Sequence, residues 1–371
     1  MPRFVNNELA MESVRAVEAH GNIKEAAKAL GVKWHTVRDR LRVASERNLT
    51  GELSGSTIPP GFAVKGVSTL YNAKNEKVAE WVKTDREKQA FADTLETVRE
   101  AFADIYRLPA TDKPSGVDAD LLTVYPVADH HLGLYAWREE AGEDYDLSIG
   151  VDLLRKSIAQ LSQSAPPSKT GVILALGDFF HADSNLLRTL RSNHPLDHDG
   201  RWQKVLRAGV HLFRDCVSLA LKRHERVIVH VIPGNHDDHS SAMLSVGMEM
   251  AFSDEPRVEV DMSPSRIWCR RFGEVLIAAA HGDMAKPADL PGAIAANYAP
   301  DWGASKYRQI FTGHIHHQTR LEKWGAVVES MSTLAAKDSH AAGMGYSSQR
   351  SACAVTFHTR RGEYIRNTVT V

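Results

Sequence analysis

The sequence lacks the marks of a membrane, secreted or strongly charged protein. In its 371 residues no apolar run approaches the roughly 18 that span a bilayer, so no membrane span is expected. The opening MPRFVNNELAMESV has no charged start followed by an apolar run and a small-residue cleavage site, so no secretory signal is expected. The three cysteines, Cys216, Cys269 and Cys353, are odd in number and far apart. They read as reduced core thiols, which points to the cytoplasm. Lys and Arg total 45 against 46 Asp and Glu, a net charge of −1. That balance excludes a polycationic DNA coat and leaves room for a local basic face. Internal repeats and low-complexity tracts are missing too. Hydrophobic residues at 43% suffice for a core without disulfide staples, and the length predicts two or three domains. What stands out is histidine, at 18 residues.

Along the chain, residues 1–50 read as short helices. Apolar residues in LAMESVRAVEAH recur at helical spacing, Gly21-Asn22 breaks that helix, and Gly31 separates an amphipathic segment 23–30 from a second, 32–43. Residues 48–60 are a polar linker, 61–84 a hairpin around NAKNE, and 86–107 a charged amphipathic helix before a second linker. These divisions predict an N-terminal domain over 1–50, a connector over 51–120 and a catalytic domain over 121–371. From Leu121 the texture is α/β. LLTVYPVADHHLG, GVILALGDFFH, RVIVHVIPGNHDD, EVLIAAAHGD and QIFTGHIHH are each a short β-type run that stops at Asp, His or Asn. Helical segments such as VDLLRKSIAQLSQ and WQKVLRAGVHLFRDCVSLALKR lie between them. Polar groups at the C-terminal ends of buried strands are where ligand sites form in α/β folds.

Collected, the strand-end groups are Asp129, His131, Asp178, Asn235, His236, His281, His314 and His316. One such histidine is an ordinary strand cap; five strands ending this way are not. Mixed carboxylate, imidazole and amide donors without a thiolate suit Mn, Fe or Zn. Seven or eight donors exceed what one open transition-metal site uses, and fit two metals sharing a carboxylate. In Asp-x-His and His-x-His, residues i and i+2 are expected on the same side of an extended chain, where both reach one cluster.

DHHLG, GDFFH, GNHD, HGD and GHIH, in this order over 121 to about 335, resemble the five motifs of the calcineurin-like metallophosphoesterases. The resemblance implies a two-sheet αββα sandwich. It assigns Asp129, His131 and His316 to one metal, Asn235, His281 and His314 to the other, and Asp178 to both. His236 would contact the phosphate and assist the leaving oxygen without binding metal. Mn is the leading metal, with Fe and Zn as alternatives. Asp237, Asp238, His181 and Asp283 are the side chains available to orient His281 and His314. GDFFHADS and GNHDD are closest to the SbcD-type DNA repair nucleases, and differ from the GDxxDRG and GNHE of protein Ser/Thr phosphatases. Such nucleases continue past the last motif into a cap and an ATPase-binding segment. Here 55 residues follow His316 and read as strands, so an SMC-like ATPase partner is not expected. The core with its added N-terminal module is also similar to phage-encoded phosphoesterases. His194, His198, Arg201 and Lys204, and the loop 331–350 with hinges at Gly343 and Gly345, are candidates to border a substrate groove.

GNIKEAAKALGVKWHTVRDRLR resembles a helix-turn-helix of the Fis or resolvase kind. Lys33, Trp34, His35 and Arg38 would face bases or phosphates, and Arg40 and Arg42 would neutralise phosphates. The plain alternative is a small bundle with a solvated basic face. The expectation is a two-metal phosphodiesterase, an exo- or endonuclease of DNA repair or recombination. It would attack phosphorus with water activated between the metals and be targeted to DNA by its N-terminal module. Alternatives are a small-nucleotide phosphodiesterase or phosphatase, and a DNA-binding recombination accessory with a structural metal core. DNA is the expected partner, and a homodimer is left open.

Overall fold

The structure, a computed structural model, describes residues 7–46, 63–71, 77–85, 112–189 and 193–371. It divides into two compact units, Met1–Asp93 and Thr94–Val371. The expected linker at 48–60, the connecting helix at 86–107 and the side chain of Arg42 lie outside the described residues.

In the first unit, α1 (Asn7–His20), α2 (Ile23–Ala29) and α3 (Trp34–Glu46) close on Ala26, Ala27 and Val37, with Val17, Ile23, Leu30 and Leu41 around them. Asn22 starts α2 by accepting hydrogen bonds from the Lys24 and Glu25 amides at 3.0 and 2.9 Å. Gly31, at φ +63°, makes the turn before α3. One sequence expectation fails here. Arg40 is not an outward cation: its side chain is 14% exposed and pairs with Glu12 of α1 at 3.5 Å. Position 40 shares an inward stripe with Val37, Leu41 and Ala44. Strands β1 (Ala63–Tyr71) and β2 (Lys77–Asp85) form the expected antiparallel hairpin.

The second unit is built on two sheets. The six-stranded sheet has the order β13 (Gly362–Thr370), β12 (Ser351–His358), β3 (Asp118–Val127), β4 (Ser168–Ala175), β5 (His224–Val231), β6 (Val258–Asp261). Its strands β3 to β6 run parallel. The five-stranded sheet has the order β10 (Thr319–Lys323), β11 (Ala326–Ser330), β9 (Tyr307–Thr312), β8 (Val275–Ala280), β7 (Ile267–Phe272). Alternation along the strands explains the layers. Val172 and Leu174 of β4 meet Ile277 and Phe311 between the sheets. Ile173 and Ala175 face outward onto α5 (Leu147–Ser164) and α6 (Trp202–Leu221), with α7 (Asp238–Ala251) beside them. A short helix, α4 (Arg138–Ala141), precedes α5. The outer face of the second sheet is covered by Leu290 and Ile294 of α8 (Leu290–Asn297), followed by α9 (Ala299–Gly303). The fold is therefore an α/β sandwich of two sheets between helical layers. A last helix, α10 (Ser339–Gly343), stands between β11 and β12. Strands β3, β4 and β5, and β8 and β9 in the other sheet, bring their C-terminal ends to one edge. No helix among the described residues is long and apolar enough to cross a membrane.

Candidate metal centre

The motif residues lie just beyond those strand ends. Asp129 and His131 follow β3, Asp178 follows β4, Asn235 and His236 follow β5, His281 follows β8, and His314 and His316 follow β9. They are not in extended chain, which corrects the alternation expected for Asp-x-His and His-x-His. Asp129, His131, Asp178, His314 and His316 all have left-handed backbones, with φ between +45° and +70°. These are five of the eight such non-glycine residues described. Each costs roughly 1–2 kcal/mol, and concentration at one edge marks a functional site. The left-handed turns, not a pleat, aim both side chains of each pair inward.

The sequence secures these turns locally. Phe179 and Phe180 of GDFFH are buried. Phe180 fills the space above Gly209 of α6, where an added Cβ would lie 2.2 Å from its ring. Gly234 of GNHD leaves room for Asp178, whose Oδ1 would be 2.0 Å from a Cβ there. Asp237 joins the same two loops: its carboxylate accepts from the amides of Asp178 (3.1 Å), Phe180 (3.1 Å) and Gly234 (2.9 Å). Asp183, buried near the same motif, accepts from the amides of His239 and Ser240 at the start of α7.

Three donor groups result, one of them His131, His181 and His236. Ligand atoms of Asp129, His131 and His316 lie within 4.8 Å of one another, as do those of Asp178, His281 and His314. Asn235 Oδ1 and Asp178 Oδ2 are each 3.2 Å from His281 Nε2. His131 and His316 present Nε2 to Nε2 at 3.0 Å. The groups interlock, because the His314 amide donates to Asp129 at 2.9 and 2.8 Å. The His236 amide donates to Asp178 Oδ1 at 2.8 Å. His281 Nδ1 is 2.8 Å from the Leu176 carbonyl, so it carries the proton and Nε2 is directed at the cluster. None of the four side chains anticipated from sequence fills that orienting role for His281. Asp237 holds loops, and Asp238 pairs with Arg266. Asp283 bears on His314 as a nearby negative charge. His181 instead meets His131, Nδ1 to Nδ1 at 3.2 Å.

Burial dominates the electrostatics. It pushes Asp129 up to about 8, against the pull of His281 and with a push from Asp178. Burial works the same way on Asp178, but His281, then His236 and His131, hold it well below the usual carboxylate range. His281 resists burial through Asp178 and Asp129 and rises to about 10. Burial drops His316 to about 4 and, with His236 and His316 as like-charged neighbours, drives His131 well below its ordinary value. The lowered His131 and His316 favour the neutral imidazoles a divalent cation needs, whereas the raised Asp129 and His281 favour protonated forms whose protons such a cation would displace. The oxygen and nitrogen donors fit Mn, Fe or Zn, and with no cysteine among them they do not fit a thiolate centre.

No family model matches the chain, and no curated protein matches it. Among solved structures it is similar to a dimetal phosphatase from Danio rerio, at 12% identity over 68% of this chain and 99% of that one, TM-score 0.38. It is similar to a predicted phosphoesterase from Streptococcus pneumoniae, at 9% identity over 68% of this chain and 100% of that one, TM-score 0.29. Vps29 of Chaetomium thermophilum matches at 13% identity over 68% and 98% of the two chains, TM-score 0.33. At such identities and scores nothing about substrate passes from those proteins to this one.

A cavity of about 1300 Å³ opens over the donor groups. His131, His181, Asn235, His236, His314 and His316 form its floor. His194 and the loop 333–350 line it as sequence suggested, whereas His198, Arg201 and Lys204 are not on its wall. His198 turns to the Gly200 carbonyl. Two rim segments meet, with Ser339 Oγ 2.5 Å from Asp197 Oδ2 and the rings of His194 and His340 4.9 Å apart. His236 donates from Nδ1 to the His181 carbonyl at 2.9 Å, which leaves Nε2 as the nitrogen that takes or gives a proton. His181 was underrated in sequence. It stacks on His236 at 5.4 Å, and its buried Nε2 has no hydrogen-bond partner among the described residues. Its place in GDFFH, three residues after Asp178, was the available signal.

Proposed function

We propose that this chain is a two-metal phosphodiesterase of the calcineurin-like kind that hydrolyses DNA, directed there by its N-terminal unit. The observation that carries the hydrolase reading is the pair of interlocked donor groups on the floor of one cavity. Asp129, His131 and His316 would hold one cation, and Asn235, His281 and His314 the other. Asp178, placed with the second group and bonded to the His236 amide, would serve both. When bound, the cations supply Lewis acidity towards phosphoryl oxygens and acidify water. The chain's own residues do the rest. Leu176 and Asp129 fix the second group through His281 Nδ1 and the His314 amide. His236, held at Nδ1, would present Nε2 to the departing oxygen and, with the ring in its cationic form, donate the Nε2 proton there.

The nucleic-acid reading draws on the first unit. Lys33, Trp34, His35 and Arg38 are exposed at the start of α3, with the Arg38 guanidinium 5.2 Å from the Trp34 ring centre. That face matches the element a helix-turn-helix lays in the major groove. A small-nucleotide substrate is the second reading, favoured by the joined cavity rim.

Labelled linear single- and double-stranded DNA incubated with Mn²⁺, beside EDTA and His236→Ala controls, tests the proposal. Metal-dependent cutting that His236→Ala loses is expected, and product lengths then separate exo- from endonuclease action. Hydrolysis of bis-p-nitrophenyl phosphate with intact DNA overturns the nuclease reading in favour of a small nucleotide.

A further inference from the structure

The far end of the second sheet carries an aromatic residue where the backbone least accommodates one. Strands β10 and β11 pair Lys323 with Ala326, so Trp324-Gly325 is a two-residue turn. Both φ angles are positive, +51° and +73°. Such turns favour Asn or Gly at the first position, because both residues adopt left-handed backbones. Trp324 accepts the strain and is still 63% exposed. One edge of its ring rests against Gly292 of α8, where an added Cβ would be 3.2 Å away. Packing of one edge does not account for a bulky residue at that position.

Two lysines rest on aromatic rings here, one of them on Trp324. Lys323 Nζ lies 4.3 Å from the Trp324 ring centre, and Lys306 Nζ 5.3 Å from that of Tyr307. Neither lysine has an acidic partner among the described residues. Arg308, by contrast, is turned onto the carbonyls of Trp302 and Ser305, and Arg320 is paired with Glu363 at 3.0 Å. A groove of about 450 Å³ runs between them, bordered by Lys306, Arg308, Arg320, Lys323 and Trp324 and by two carboxylates, Glu322 and the Glu363 already held by Arg320 and Arg366. Strand β10 leads there from the metal edge. It begins three residues after His316 and carries the chain about 17 Å to Trp324.

We infer that this groove is a second contact for single-stranded nucleic acid. A base stacks on Trp324 and the adjoining phosphates meet Lys306 and Lys323. The inference rests on the nuclease reading and extends it: a strand held in the metal cavity is also gripped at the opposite end of the sheet. Stacking platforms flanked by cations bind single strands without sequence preference.

The test uses the full chain in EDTA, so that binding is read without cutting. Anisotropy of a labelled oligothymidylate of about twenty nucleotides is compared for wild type, Trp324→Asn and Lys306→Ala/Lys323→Ala. Asn suits the turn, so that variant folds. Its affinity is expected to fall roughly 5- to 100-fold, and the lysine pair is expected to flatten the salt dependence. Hydrolysis of bis-p-nitrophenyl phosphate with Mn²⁺ stays unchanged in both. An oligonucleotide bearing 5-iododeoxyuridine is expected to crosslink to the peptide containing Trp324. Unchanged affinity and salt dependence in the variants, with no crosslink at Trp324, overturn the inference while the nuclease reading stands. A wild type that hydrolyses the small phosphoester but neither binds nor cuts DNA removes the nuclease reading, and this site with it.

Discussion

Buried histidines stand at both ends of the parallel strands β3, β4 and β5, and the two ends treat them differently. At the N-terminal end, His224 sits between the Tyr125 and Ser168 hydroxyls, both at 2.7 Å. A hydroxyl donates or accepts as needed, so either tautomer of His224 is satisfied within the protein. At the C-terminal end, imidazole nitrogens face carboxylates, an amide oxygen and one another. His131 and His316 set ring nitrogen against ring nitrogen there at 3.0 Å, on backbones held in left-handed turns. His281, raised by Asp178 and Asp129, supplies one positive charge from within, and a cation from outside would complete the rest of the set. The same residue type is structural at one end and ligand-like at the other, and the difference lies in whether its neighbours complete it.

The sharpest way to break that comparison is to remove what the C-terminal end calls for. EDTA is expected to abolish hydrolysis, and Asp178→Asn to lower it on the order of 10⁴-fold, as loss of several kcal/mol of charge stabilisation requires. Added Mn²⁺ should raise the melting temperature of wild type far more than that of Asp178→Asn. An Asp178→Asn protein that matches wild type in both assays would mean the donor set is self-sufficient after all.

His236 is the residue of that end assigned no metal. His236→Ala is expected to lower kcat by roughly 10²- to 10⁴-fold with bound metal unchanged by elemental analysis. Loss of metal in this variant would move His236 into the ligand set.

At the other end the expected effect is on stability. Burial holds His224 down to about 4, whereas in the unfolded chain it titrates near 6.5. The unfolded chain therefore binds the proton first as pH falls. The folded state keeps its full advantage above about 6.5 and loses about 3 kcal/mol on the way to pH 4. In urea titrations, the stability gap between wild type and His224→Gln should narrow over that window. Parallel curves from pH 7 to pH 4 would show that His224 does not titrate as its surroundings require.

How much of this was legible depended on where the signal resides. The five strand-end motifs could be read because their donor groups are side chains, each with its own letter in the sequence. The sheets behind them could be read because β-type runs of one length recur. The orientation of His281 could not be read, because its partner is the Leu176 carbonyl and a backbone atom has no letter in the sequence. The left-handed turns at Asp129 and His314 were hidden as well: the pairing of i with i+2 looks the same in a pleat. Asp183 caps α7 from a loop more than fifty residues earlier, a distance that no local pattern spans. Arg40 was legible and misread, since its spacing from Val37 and Ala44 places it on the inward stripe of α3.

That last residue carries the same comparison into the first unit, at its smallest scale. Arg40 is completed by Glu12 of another helix, while Arg38, 59% exposed, lies over Trp34 and pairs only with its exposed neighbour Asp39 at 3.7 Å. Arg38→Ala should weaken double-stranded DNA binding and reduce the salt slope by about one, with stability unchanged. Arg40→Ala should leave that slope alone and cost about 0.5–1 kcal/mol of stability, as a pair that joins two helices near the surface is worth. Affinity against salt and a urea titration on each variant separate the two. If Arg40→Ala flattens the salt dependence and Arg38→Ala does not, the DNA-facing side of α3 is the one turned towards α1, and the basic face assigned here is only solvated surface.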